Sequence, residues 1–207
     1  MASKKRAEEA PTVLLIQPPV YDFALYDLYF KPYGLLRIGR WFENAGYKVV
    51  INNALDFTDG TTVRRLGRVK RSADGTGKFH RLRIPLDRPI PGATGEGEVE
   101  KGPSFEEFRR RFAERTGRYI NRYGKLEESF RARIAEANPD LVLITSQMTY
   151  WYPGVKEAAD TVRELFPDVP IAVGGVYASL LPEHCRRTTE ADVVVQGSDT
   201  TSLEQVL

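Results

Sequence analysis

Asp140-Leu141-Val142-Leu143-Ile144-Thr145-Ser146-Gln147-Met148-Thr149-Tyr150-Trp151-Tyr152-Pro153 is the stretch on which the fold turns. Residues 141–145 form a strand pattern that is apolar without alternation, as in a strand buried on both faces. Hydroxyls and an amide follow at once, and Pro153 suits the first turn of a helix. A buried strand running through a polar turn into a helix is the middle of a parallel strand–helix–strand unit, whose crossover is right-handed.

The same pattern recurs on either side. Upstream, residues 13–16 are a second unbroken apolar run, ended by Gln17-Pro18-Pro19. Residues 34–45 place Leu35, Ile38, Phe42 and Ala45 at spacings of three and four, an apolar helical face that stops at Gly46. Residues 49–51 are the next strand. Downstream come a helix over 153–166, a strand over 171–173, a short helix ending near His184 and a strand over 193–195. Five strands so ordered predict an α/β fold: a flavodoxin-like, doubly wound parallel sheet of order 2-1-3-4-5.

The alternation fails across residues 57–125, which read as an insertion. Nine Lys/Arg against two Asp lie between Val63 and Arg88. Residues 63–70 and 78–84 flank Ala73-Asp74-Gly75-Thr76-Gly77, a turn-forming cluster that predicts a basic β-hairpin. Residues 85–103 are rich in Pro and Gly and read as an exposed linker. Helical character returns at 105–112 and at 126–137, where Leu126, Phe130, Ile134 and Ala137 form a stripe.

The 207 residues, 42% hydrophobic, suffice for one main domain over 12–207, with residues 1–11 a disordered N-terminus. Thirty basic and 28 acidic side chains leave a net charge of +2, too small a field to imply nucleic acid or a membrane surface. No apolar run approaches the roughly 20 residues of a membrane span. Cys185 is the single cysteine, so the chain cannot form an internal disulfide or hold an iron–sulfur cluster, and a cytoplasmic location is expected. Cys185 itself reads as a packed small residue. Neither His80 nor His184 has a second ligand at metal spacing, so no metal site is predicted. Thr201-Ser202-Leu203-Glu204 is a capping box that starts a helix, which predicts that the natural protein continues past Leu207.

Ligands of open parallel sheets sit beyond the carboxyl ends of the strands, where the strand order reverses. The residues predicted there are Gln17 and Pro18 after the first strand; Thr145, Ser146, Gln147, Met148, Thr149 and Tyr150 after the third; Gly174, Gly175, Val176 and Tyr177 after the fourth; and Gly197 and Ser198 after the fifth. Hydroxyls supply hydrogen bonds, aromatic rings area, and glycines room for close approach. The loop after the first strand also holds Tyr21, Phe23, Tyr26, Tyr29, Phe30 and Tyr33, either a cover for one edge of the core or a wall for a large flat ligand. No catalytic residue can be assigned.

Several segments carry a resemblance: Lys31-Pro32-Tyr33-Gly34-Leu35-Leu36, Gly46-Tyr47-Lys48-Val49-Val50, Ile144-Thr145-Ser146, Val173-Gly174-Gly175-Val176-Tyr177-Ala178 with Leu181-Pro182-Glu183, and Ala191-Asp192-Val193-Val194-Val195-Gln196-Gly197. In this order and spacing they resemble the N-terminal cobalamin-binding domains of cobalamin-dependent radical S-adenosylmethionine proteins. The resemblance covers residues 13–54 and 141–207 and implies cobalamin as cofactor, its nucleotide tail near Ser146, Thr149, Gly174, Gly175 and Gly197. It also implies a downstream radical domain holding S-adenosylmethionine and a [4Fe-4S] cluster. Corrinoid methyltransferases, more distantly similar, carry Asp-x-His-x-x-Gly after the first strand; here that loop has no histidine, so cobalt would lack a protein imidazole. Gln196-Gly197-Ser198-Asp199 stands where the family often has Gly-Glu-Gly-Glu.

Three other readings compete. The domain could be a docking or regulatory module without cofactor, because a doubly wound sheet alone decides no function. A nucleotide-binding enzyme is disfavoured because Gln17-Pro18-Pro19 replaces a Gly-rich phosphate turn. Nucleic acid binding through the basic segment is disfavoured, since charge runs are usually solvated faces or interdomain contacts.

Overall fold

The computed structural model describes residues 10–25, 31–71, 79–92 and 105–197. Its strands are β1 (Thr12–Gln17), β2 (Val20–Asp22), β3 (Lys48–Asn53), β4 (Arg81–Arg83), β5 (Asn121–Tyr123), β6 (Leu141–Ser146), β7 (Ile171–Gly175) and β8 (Val193–Val194). Its helices are α1 (Tyr33–Asn44), α2 (Gly60–Leu66), α3 (Phe105–Thr116), α4 (Glu127–Ala137), α5 (Tyr152–Leu165), α6 (Val176–Leu180) and α7 (Pro182–Thr189).

The five-stranded sheet has order β3-β1-β6-β7-β8, every pair parallel, which is the flavodoxin-like arrangement read from the sequence. β1 lies inside the sheet between β3 and β6, and all six of its residues are buried, with Leu14 and Ile16 on one face and Val13 and Leu15 on the other. Phe130 and Ile134 of α4, Val155, Ala158 and Val162 of α5, and Tyr177 and Cys185 beyond β7 cover the first face. Among the described residues, α1 alone covers the second, through Leu35 and Phe42. Burial of such side chains contributes roughly 1.5–3 kcal/mol each.

The predicted basic hairpin does not form. Residues 60–66 are helical instead, because Asp59 caps them, its Oδ2 accepting from Thr62 N at 2.9 Å and Thr62 Oγ1 at 2.6 Å, and Gly67 ends them with φ 78°. Capping chemistry overrides the β-branched Thr62 and Val63. β4 pairs instead with β5, in an antiparallel sheet of order β2-β5-β4. The turn at 73–77 lies outside the described residues. The expected exposed linker also differs in its first part: Ile90 is buried, and Arg109, 1% exposed, donates to the carbonyls of Leu86 and Arg88 at 3.0 and 2.9 Å. The single helix expected near His184 is two, broken at Leu181, with Pro182 opening α7.

The small sheet is fastened to the large one by a buried ion pair. Arg122 of β5 donates through Nη2 to Glu157 Oε1 at 2.6 Å and through Nε to Oε2 at 2.9 Å, and Tyr21 of β2 donates to Oε2 at 2.7 Å. Burial, and then the Glu157 carboxylate, push the Tyr21 phenol far above its usual range, so it remains a donor. Arg122 Nη1 also donates to the Lys125 carbonyl at 2.6 Å. Removing one member strands a buried charge.

Glu157→Leu should cost about 3–5 kcal/mol in urea unfolding, and Arg122→Met combined with Glu157→Leu should recover much of it. Burial opposes ionisation of Asp59, but hydrogen bonds from Thr62 and Ser129 prevail and hold its carboxyl below the usual value. The folded pKa is thus depressed, so the stabilisation is complete above the unfolded value of about 3.9 and lost as pH falls through the folded value. Asp59→Asn should shallow the acid limb of a stability–pH profile, and Asp59→Ala should cost about 1 kcal/mol at neutral pH.

Candidate functional site

At the carboxyl ends of the strands the pleat sorts the predicted residues onto two faces. Leu143 and Ala172 pack on the α1 side, Ile144 and Val173 on the other. Successive strand side chains alternate, so Thr145 and Gly174 belong to the α1 side, and Ser146 and Gly175 to the opposite one.

On the α1 side lies a cavity of about 380 Å³, floored by Leu143, Thr145, Ala172, Gly174 and Val195, bordered also by Ile144 and Gly175, and walled by Gly34, Arg37, Ile38 and Trp41 of α1. It exists because α1 is the sole described helix on this face and leaves the floor over β6, β7 and β8 beside it open. The lining is mostly apolar, with Arg37 at the wall and Thr145 on the floor. A methyl placed on Gly34 or Gly197 would meet nothing within 4 Å, and one on Gly174 would make only ordinary contact with Val195 at 3.6 Å. These three glycines keep open space that side chains would occupy.

On the opposite side Gln17, Pro18, Ser146 and Gln147 border a recess of only about 20 Å³, too small for more than a water. Ser146 is buried, and its hydroxyl is engaged: it donates to the Gly174 carbonyl at 2.7 Å and accepts from Ala178 N at 3.4 Å. Gly175 has φ 100°, and a Cβ there would sit 2.0 Å from the Ser146 carbonyl oxygen. Its glycine is demanded by the β6–β7 junction itself. Gly154 of α5 is similarly constrained, since a Cβ would fall 1.7 Å from the Pro19 carbonyl oxygen, so the chain leaving β1 crosses directly over that helix.

The remaining predicted residues are dispersed. Met148, Tyr150 and Val176 stand exposed on the rim, joined there by Leu180 and Leu181. Thr149 begins a single 3₁₀ turn, Thr149–Trp151. Tyr177 is fully buried in the core, its hydroxyl 2.7 Å from His184 Nδ1, and does not line the cavity. Of the tyrosine-rich loop, Tyr21 and Phe23 are core residues, Phe23 packing on Phe112 at 4.3 Å, while Tyr33 is 70% exposed. Tyr26, Tyr29, Phe30, Ser198 and the capping box lie outside the described residues. Cys185 is fully buried, and burial lifts its thiol to about 11, as suits a packing residue rather than a nucleophile.

Arg37 and Trp41 were not anticipated. Their signal was present: Gly34, Arg37, Ile38 and Trp41 fall at helical spacing, on a face adjoining the Leu35–Phe42 stripe.

A family model described as the B12 binding domain matches residues 116–207. No curated protein matches the chain. The matched span supplies β6, β7, β8 and the helices between them, hence the floor of the cavity and the apolar rim. β1, α1 and β3 precede it and complete the sheet and the cavity wall. No helix among the described residues is long and apolar enough to cross a membrane.

The two adjacent glycines should separate sharply. Gly174→Ala should leave stability within about 0.5 kcal/mol of wild type. Gly175→Ala should cost about 3 kcal/mol or more in urea denaturation, because its Cβ meets backbone that cannot move without parting β6 from β7.

Proposed function

We propose that this chain is a cobalamin-carrying domain, holding the nucleotide tail in the cavity beside α1 and the corrin against the exposed rim. The observation that carries the reading is the 380 Å³ cavity at the carboxyl ends of β6 and β7, within the roughly 300–1,000 Å³ range of small-molecule sites. It suits a tail of base, ribose and phosphate: Leu143, Ala172 and Val195 offer apolar contact, Thr145 a hydroxyl, and Arg37 a cation. Gly34, Gly174 and Gly197 provide the clearance. Met148, Tyr150, Val176, Leu180 and Leu181 expose apolar side chains that a wide, flat ligand would cover.

Bound cobalamin would supply methyl-transfer or radical chemistry; the chain's own part is to hold and orient the group and to exclude water. Its two histidines are engaged elsewhere, His184 with Tyr177 and His80 with the Gly67 carbonyl at 2.9 Å. We therefore read the lower cobalt face as lacking a protein imidazole. The Lys-Pro-Tyr-Gly-Leu-Leu and Val-Gly-Gly-Val-Tyr-Ala segments support the finer reading, that the domain serves a radical S-adenosylmethionine enzyme whose cluster lies in another domain.

Titration with hydroxocobalamin, followed by gel filtration and visible absorption, tests this. Wild type should retain one equivalent, with Gly174→Leu, which fills the cavity, weakening retention at least about tenfold at unchanged circular dichroism. Reduced to the cobalt(II) state, the complex should show no nitrogen superhyperfine splitting in its electron paramagnetic resonance spectrum. Retention undiminished by Gly174→Leu would overturn the placement of the tail, and no retention at all the cofactor reading.

A further inference from the structure

A second cavity, about 730 Å³, opens between the outer strand β3, the loop entering α2, and α4. Its wall includes Lys125, which is 6% exposed. Lysine is among the side chains least often buried without a partner. Its backbone is fixed, Lys125 N donating to the Ala54 carbonyl at 2.7 Å and its own carbonyl accepting from Arg122.

Among the described residues, no hydrogen bond or ion pair reaches its Nζ. The acids around the cavity are committed elsewhere. Asp59 accepts from Thr62 and Ser129, Asp56 from Thr58 N and Oγ1 at 2.8 and 2.6 Å, and Glu128 from Arg65 at 2.6 Å. Glu136 faces Arg133 at 3.7 Å. Among the described residues, the amine therefore lines a roomy polar cavity without a partner of its own. The geometry points to Lys125 as a reactive amine whose cavity admits small neutral carbonyl compounds and condenses with them to an imine.

Neutral carbonyl compounds fit better than anions because Asp56, Asp59, Glu128 and Glu136 surround the opening. In the reaction the Nζ lone pair adds to the carbonyl carbon, a proton passes from nitrogen to oxygen, and water leaves as the C=N bond forms. No oxidant or reductant is consumed. Burial depresses the pKa of Lys125 below the usual lysine value; Asp59 and Asp56 oppose this and Arg133 assists it, so more of the nucleophilic free amine is present at neutral pH.

The test uses the full chain with pyridoxal as a neutral aldehyde probe, cyanoborohydride to trap the imine, and peptide mass spectrometry to assign it. At neutral pH, Lys125 should be labelled roughly fivefold or more faster than the exposed Lys48. As pH rises, its rate should level off before that of Lys48. Ala132→Trp, an exposed change on the cavity wall, should slow labelling of Lys125 and leave Lys48 unaffected. Labelling of Lys125 no faster than Lys48, or a rate indifferent to Ala132→Trp, would overturn the assignment. Neither outcome depends on cobalamin.

Discussion

The bidentate pair between Arg122 and Glu157 is the constraint on which the arrangement rests. Without it the small sheet of β2, β5 and β4 would have only thin apolar contact with the rest, since its own core is a few residues around Val20, Tyr21, Ile84 and Ile120. Two charges taken out of water are costly unless each finds good partners. Here Glu157 satisfies its oxygens with Arg122 and Tyr21, and Arg122 spends a further donor on the Lys125 carbonyl. Because Glu157 lies on α5, which starts just beyond β6, the pair fixes the inserted segment against the very end of the sheet where ligands gather.

That anchoring also shapes the polar cavity. Arg122 holds the backbone of Lys125, and Lys125 in turn reaches the Ala54 carbonyl just past β3. Asp59 and Thr62 tie α2 to the start of α4, Leu126 N donating to Thr62 Oγ1 at 2.9 Å. The polar cavity thus has walls set by hydrogen bonds, whereas the cavity beside α1 has walls set by apolar packing. The two differ in chemistry for that reason.

The large sheet was legible because β1, β6 and β7 are buried on both faces and carry unbroken apolar runs that nothing local contradicts. The site was legible only in outline. Thr145, Ser146, Gly174 and Gly175 were grouped by position in the chain, yet the pleat sends one of each pair to either face, a distinction that the period of two already contains. The insertion was harder. A run of arginines says little about conformation, and the Asp-Gly turn cluster at 73–77 suggested strands on either side of it, although Asp59, three residues before Thr62, caps a helix there. The partner of β4 was beyond reach, because β5 lies some way along the chain and its pairing depends on the buried charge of Arg122.

The position of β1 between β3 and β6 also orders events in time. Its neighbour on one side is complete once Asn53 has been made, but its neighbour on the other begins only at Leu141. During synthesis a fully buried strand therefore emerges early and must wait with one edge unpaired while the segment between β3 and β6 is made. Loop-closure entropy for the second pairing grows only slowly with that separation, so the insertion's length costs the finished fold little. Its cost falls on the nascent chain instead, as an interval in which β1 is open to wrong partners.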